Sequence, residues 1–143
     1  MPPARAAFPA WRSTLTGLRA RGLRLGIVTN GETEFQRRHV EALGLDRLVD
    51  AVLISQAEGL RKPDAALFLR AANRLGAEPA GCLFVGDNPA VDILGAHAAG
   101  MRTVWFRDGA LWPGCLPPMP GVAIDALPEL LELAPAGPAS RAG

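Results

Sequence analysis

The chain has 143 residues, 49% of them hydrophobic and 20% charged, with a formal net charge of +1. That length suits one soluble domain burying about two thirds of its unfolded surface. The near-neutral charge removes the electrostatic case for a nucleic-acid or membrane-surface partner, and no apolar run approaches the ~20 residues of a membrane helix.

In chain order, "MPPARAAFPAW" carries neither the apolar core nor the cleavage pattern of a signal peptide. Trp11, Leu15 and Leu18 recur at helical spacing, which predicts a helix over residues 9–21 opened by Pro9. Leu25 to Val28 form a short buried strand, and Asn30-Gly31 mark its sharp exit. Phe35, His39 and Leu43 share one face of a second helix that stops near Gly44. "AVLIS" is a strand, and Pro63-Asp64 open a helix with Leu67, Phe68, Ala71 and Leu75 on its apolar side. "CLFVG" (strand), residues 89–99 (helix) and "RTVWF" (strand) continue the alternation, and "GVAI" and "LPELLEL" supply a last strand and helix.

Such alternation predicts an α/β, Rossmann-like fold: a parallel sheet with helices on both faces and right-handed crossovers. Residues 1–133 are read as one core. Residues 108–120 form a connecting loop with four prolines, and residues 134–143 read as a disordered tail. Cys82 falls in a predicted strand and Cys115 in the loop, without a CxxC pair, so two free thiols in a reducing cytoplasm are expected.

Four strand ends or turns carry chemistry in order: Thr29-Asn30, Lys62, Asp87 and Asp92. Singly, each has an ordinary explanation. Thr29 caps a turn, Lys62 is a solvated lysine, Asp87 is a helix N-cap, and Asp92 sits at a helix's positive end. All of them at one edge of one predicted sheet is a different matter. A hydroxyl, a cation and paired acids there meet the needs of phosphoryl transfer: oxygen ligands for Mg²⁺ and donors to offset charge.

"LGIVTNG", "GLRKPDAALF" and "VGDNPAVDILGAHAAGMRTVWF" resemble motifs II, III and IV of the haloacid dehalogenase superfamily, mostly Mg²⁺-dependent phosphatases. The resemblance runs from Pro9 to Leu133. It implies that Thr29 hydrogen-bonds a phosphoryl oxygen with help from the Asn30 backbone N–H. It implies that Lys62 offsets charge, that Asp87 binds Mg²⁺ directly, and that Asp92 acts through a metal-bound water or by holding Lys62. The implied substrate is a small phosphorylated metabolite. Dehalogenase and phosphatase chemistry are not separated by these motifs.

The departure lies in motif I. The family's nucleophile is the first aspartate of an Asp-x-Asp pair ending the first strand, and no such pair occurs among the seven aspartates. Asp125 follows "GVAI" but resembles the family's ordinary C-terminal segment, which argues against a circular permutation. The expectation is therefore a core lacking motif I, its strand and the helical cap, and so lacking activity by itself. In the family that strand lies between those of motifs II and IV, so its absence exposes two apolar edges. The alternatives are an inactive truncated remnant, or a subunit completed by another chain. A phosphoacceptor receiver domain fits the motif order poorly. His39 and His97 lack metal-ligand spacing, and Trp11, Trp105 and Trp112 read as packing residues, Trp112 alternatively as a lid or interface residue. Arg61 reads as a substrate-phosphate contact or a solvated arginine. No glycine-rich dinucleotide or P-loop motif is present.

Overall fold

The computed structural model describes residues 8–133; the segment 134–143, expected to be a disordered tail, lies outside the described residues. The fold is α/β. Strand β1 (Gly26–Thr29) pairs in parallel with β2 (Ala51–Ile54), Ile27 lying opposite Val52. Strand β3 (Leu83–Gly86) pairs in parallel with β4 (Arg102–Phe106), and β4 with β5 (Val122–Ile124). These form two sheets, of two and three strands, and β1 and β3 do not pair with each other. The parallel sheet is thus interrupted between β1 and β3, where the resemblance places the absent first strand.

Burial follows the interruption. Every residue of β1 and β3 is at least partly exposed, while Leu53 and Ile54 of β2 and Thr103, Val104 and Trp105 of β4 are buried. A continuous doubly covered sheet has the reverse order, its inner strands being the driest.

Two helices bind the sheets together. Asp64 caps the helix Ala65–Arg74 by accepting from the Ala66 N–H at 2.9 Å. Its Leu67 and Ala71 pack with Leu53 and Val28, while Phe68 and Ala72 pack with Cys82 and Phe84. The pairs 67/71 and 68/72 are adjacent rows on one helix, so this single helix covers both sheets. On the other face, Leu83 and Val85 alternate away from Phe84 and join Val104, Leu130 and Trp11. Trp11 belongs to the helix Phe8–Ala20, whose Arg12 donates to the Leu43 carbonyl at 3.1 Å and whose Arg19 pairs with Asp50 at 3.2 Å. That helix also reaches both halves.

Two expectations need correction. In the helix Thr33–Ala42, Phe35 is 66% exposed and Val40 is the buried residue. The inward row is Gln36 and Val40, one turn apart, because the Gln36 amide turns in to bond β1's end. Residues 89–99 are not one α-helix: a π-helical turn spans Pro89–Leu94, followed by an α-helical turn Gly95–Ala98. Asn88, not Asp87, caps it, accepting from the Val91 N–H at 2.9 Å.

Thr14 is buried and its hydroxyl has no hydrogen-bond partner among the described residues. Replacing it with valine keeps the shape and removes an unpaid desolvation cost, so Thr14→Val should stabilise the fold by about 1 kcal/mol in urea denaturation. A loss of stability would show that the hydroxyl is paired.

Candidate active site

Thr29 ends β1 and Gly86 ends β3, so Asn30 and Asp87 leave the carboxyl ends of their strands. Lys62 joins the two ends. The Asn30 side chain clamps its backbone from both sides: Oδ1 accepts from the Lys62 N–H at 2.9 Å and Nδ2 donates to the Lys62 carbonyl at 3.0 Å. From that anchor the Lys62 ammonium reaches Asp92 Oδ1 at 2.7 Å, the two side chains being only 12% and 7% exposed. The Phe84 ring centroid lies 5.7 Å from the same nitrogen, close enough for a cation–π contribution. The other Asp92 oxygen accepts from the Asn88 N–H at 3.1 Å. Asp92 thereby holds Lys62 and the turn after β3 at once.

Thr29 Oγ1 accepts from Gln36 Nε2 at 2.9 Å, and the same nitrogen donates to the Asn30 carbonyl at 3.0 Å. An accepted bond from Gln36 uses a lone pair of the hydroxyl oxygen, and its proton makes only a long donation to the Asn30 carbonyl at 3.5 Å, which a better acceptor can displace. Asp87 is exposed, and its carboxylate has no hydrogen bond or ion pair among the described residues. Its backbone is tethered, because Trp105 Nε1 donates to the Asp87 carbonyl at 3.0 Å. Trp112, from the proline-rich loop, packs edge-on against Trp105 with ring centroids 5.1 Å apart.

Hydrogen bonds therefore run from Thr29 through Gln36, Asn30 and Lys62 to Asp92 and the Asn88 N–H beside Asp87. Gln36 and Trp105 were not foreseen from the sequence. A glutamine one turn into a helix and a tryptophan in an apolar strand give no signal of the partners they find.

Gly86 explains how Asp92 comes so close. A Cβ at Gly86 would lie 2.4 Å from the Asp92 Cβ. Gly86→Ala should push Asp92 off Lys62 and cost about 1–3 kcal/mol or more, read as a lower urea midpoint. An unchanged midpoint would mean that the turn is loose enough to yield.

Among the described residues, no three His, Cys, Asp or Glu side chains group as a metal cage. Mg²⁺ asks for less: one or two carboxylates, with waters and substrate oxygens completing its octahedron. The unengaged Asp87 carboxylate, with Asp92 close by in the same turn, is a donor set that fits this cation. Cys82 offers no substitute nucleophile, since burial pushes its thiol above the ordinary range and disfavours the thiolate. No helix among the described residues is long and apolar enough to cross a membrane.

Beside Asn30 lies a cleft of about 370 Å³ lined by Asn30, Gly31, Glu32, Ser55, Gln56 and Arg61. Ser55 Oγ accepts from the Gly31 N–H at 2.8 Å and Gln56 Oε1 from the Thr33 N–H at 2.6 Å, which fixes its floor.

Residues 5–100 match the family model of a haloacid dehalogenase-like hydrolase. The chain is 40% identical over 102 residues to a phosphoserine phosphatase of Thermus thermophilus, covering 71% of this chain and 41% of that protein. It is 37% identical over 129 residues to a glyceraldehyde 3-phosphate phosphatase of Methanopyrus kandleri, covering 88% and 55%. The fold matches the crystal structure of a HAD phosphatase from Thermococcus onnurineus with a TM-score of 0.79 at 33% identity, covering 87% of this chain and 56% of that one. The chain thus spans about half the length of the relatives it matches.

Proposed function

We propose, for a chain that belongs to the haloacid dehalogenase-like hydrolases, that these residues form the phosphoryl- and metal-binding half of a cytoplasmic Mg²⁺-dependent phosphatase acting on small phosphorylated metabolites. The observation that carries this reading is the run of hydrogen bonds from Thr29 to Asp92, which links a hydroxyl, a largely buried cation and one carboxylate, with the Asp87 carboxylate free at the end of β3 beside them. Thr29 donates to a phosphoryl oxygen while Gln36 holds its oxygen in place, and the Asn30 N–H donates beside it. Lys62, fixed by the Asn30 clamp and by Asp92, keeps a positive charge where negative charge accumulates during transfer. Asp87 would hold Mg²⁺, and Asp92, which holds Lys62, stands close enough in sequence and space to assist it. The cation, when bound, neutralises charge on the phosphoryl group.

The attacking carboxylate is not among these 143 residues, which contain no Asp-x-Asp. Hydrolysis of p-nitrophenyl phosphate by this chain with Mg²⁺ should therefore equal that of its Asp87→Asn variant. Asp87-dependent turnover by the chain alone would reveal an overlooked nucleophile, with Asp125 the first to test. The unpaired β1 and β3 favour a second reading, in which another chain supplies the missing strand and its carboxylates. An inactive remnant differs from both, because no added strand would restore turnover.

A further inference from the structure

We infer that the cleft beside Asn30 is a subsite for a second anionic group on the substrate, a carboxylate received by Arg61. This rests on the reading of Thr29 and Asn30 as phosphoryl ligands. A phosphomonoester held there has its remaining atoms at the cleft, because Asn30 lines both. Arg61 is the one cation among the lining residues, and its backbone is fixed, since it precedes Lys62 in the segment that Asn30 clamps. The Lys62 ammonium is already committed to Asp92.

Several arginines elsewhere have carboxylate partners, Arg19 on Asp50, Arg70 and Arg74 on Glu58, Arg107 on Asp125, while Arg37, Arg47 and Arg102, like Arg61, have none among the described residues but line no part of the cleft. Arg61 is exposed and makes no hydrogen bond or ion pair among the described residues. Glu32, the opposite charge in the cleft, has its own explanation: it stands at the N-cap of the helix Thr33–Ala42, where negative charge meets the positive end of the helix. Ser55 and Gln56 are committed to backbone N–H groups and present a fixed polar floor. The guanidinium is the group left to recognise a ligand, and its planar fork matches a carboxylate.

The test is an NMR titration of the chain, with Mg²⁺ present, following the amides of Asn30 and Gly31. The ligands are inorganic phosphate, glycerol 3-phosphate and 3-phosphoglycerate, the last two differing in a hydroxymethyl against a carboxylate. A pair in an open cleft predicts about fivefold tighter binding of the carboxylate-bearing ester, read as a ratio of dissociation constants. That ratio should fall to about one in Arg61→Gln and persist in Arg47→Gln, which removes an exposed cation outside the cleft. Equal affinities for the two esters, or a ratio that survives Arg61→Gln, would overturn the subsite and leave the phosphoryl site standing. If inorganic phosphate moves neither amide, the phosphoryl site itself fails, and the subsite with it.

Discussion

Lys62→Met should cost this fold about 3–5 kcal/mol, a large part of the stability of a domain this size. The reason is what remains behind. Asp92 is 5% exposed, and with the ammonium gone its carboxylate keeps one backbone N–H and no cation. A buried ion pair is not itself a large source of stability, because desolvation offsets its attraction, but breaking one side leaves a charge without compensation. The double variant Lys62→Met/Asp92→Leu should therefore recover most of the loss, although it abolishes the site. The exposed pair Arg38–Glu34 sets the opposite limit: its side chains are 79% and 78% exposed, and Arg38→Met should change stability by less than about 1 kcal/mol. Urea denaturation of the four proteins measures all of this. If Lys62→Met costs no more than Arg38→Met, the site is wet and its lysine is not held as described.

The second large effect concerns the interrupted sheet. β1 and β3 each pair on one side only, and each presents backbone N–H and C=O groups beside partly exposed Val28, Leu83 and Val85. Edges of this kind accept another strand. A peptide with an apolar strand ending in Asp-x-Asp should raise the melting temperature. At one hundred times its dissociation constant, a ligand of the folded state alone adds about 2.7 kcal/mol. Without peptide, sedimentation should show association that grows with concentration and disappears when the peptide is added. A chain that stays monomeric and ignores the peptide would mean that the gap is closed by side chains. Turnover that appears with the peptide and depends on Asp87 would support the phosphatase reading; stabilisation without turnover would favour the remnant.

Much of this was legible in the chain. Apolar runs marked all five strands, most of them with a glycine or proline nearby, since a buried parallel strand needs little else. The motifs placed Thr29, Lys62 and the two aspartates at strand ends or turns, and the missing Asp-x-Asp announced the break between β1 and β3. What escaped was set by single side-chain contacts. Gln36 turned the helix Thr33–Ala42 by one position, leaving Phe35 outside, because its amide had two acceptors at the end of β1. Asp92, in the π-helical turn, sits where only a glycine at 86 leaves it room, a three-dimensional fit with no periodic signature.

The helix Ala65–Arg74 has a consequence for how this chain opens. Each sheet is built from one contiguous stretch, residues 26–54 and 83–124, so strand pairing within each requires no contact with the other. Such stretches behave as separate cooperative units that unfold at different free energies. Leu67 and Ala71 belong to one unit, Phe68 and Ala72 to the other. Amide hydrogens in this helix should exchange only when both units open, and so should be the slowest in the protein. Those of β1 and β2 should exchange sooner, through an opening that leaves the C-terminal unit intact.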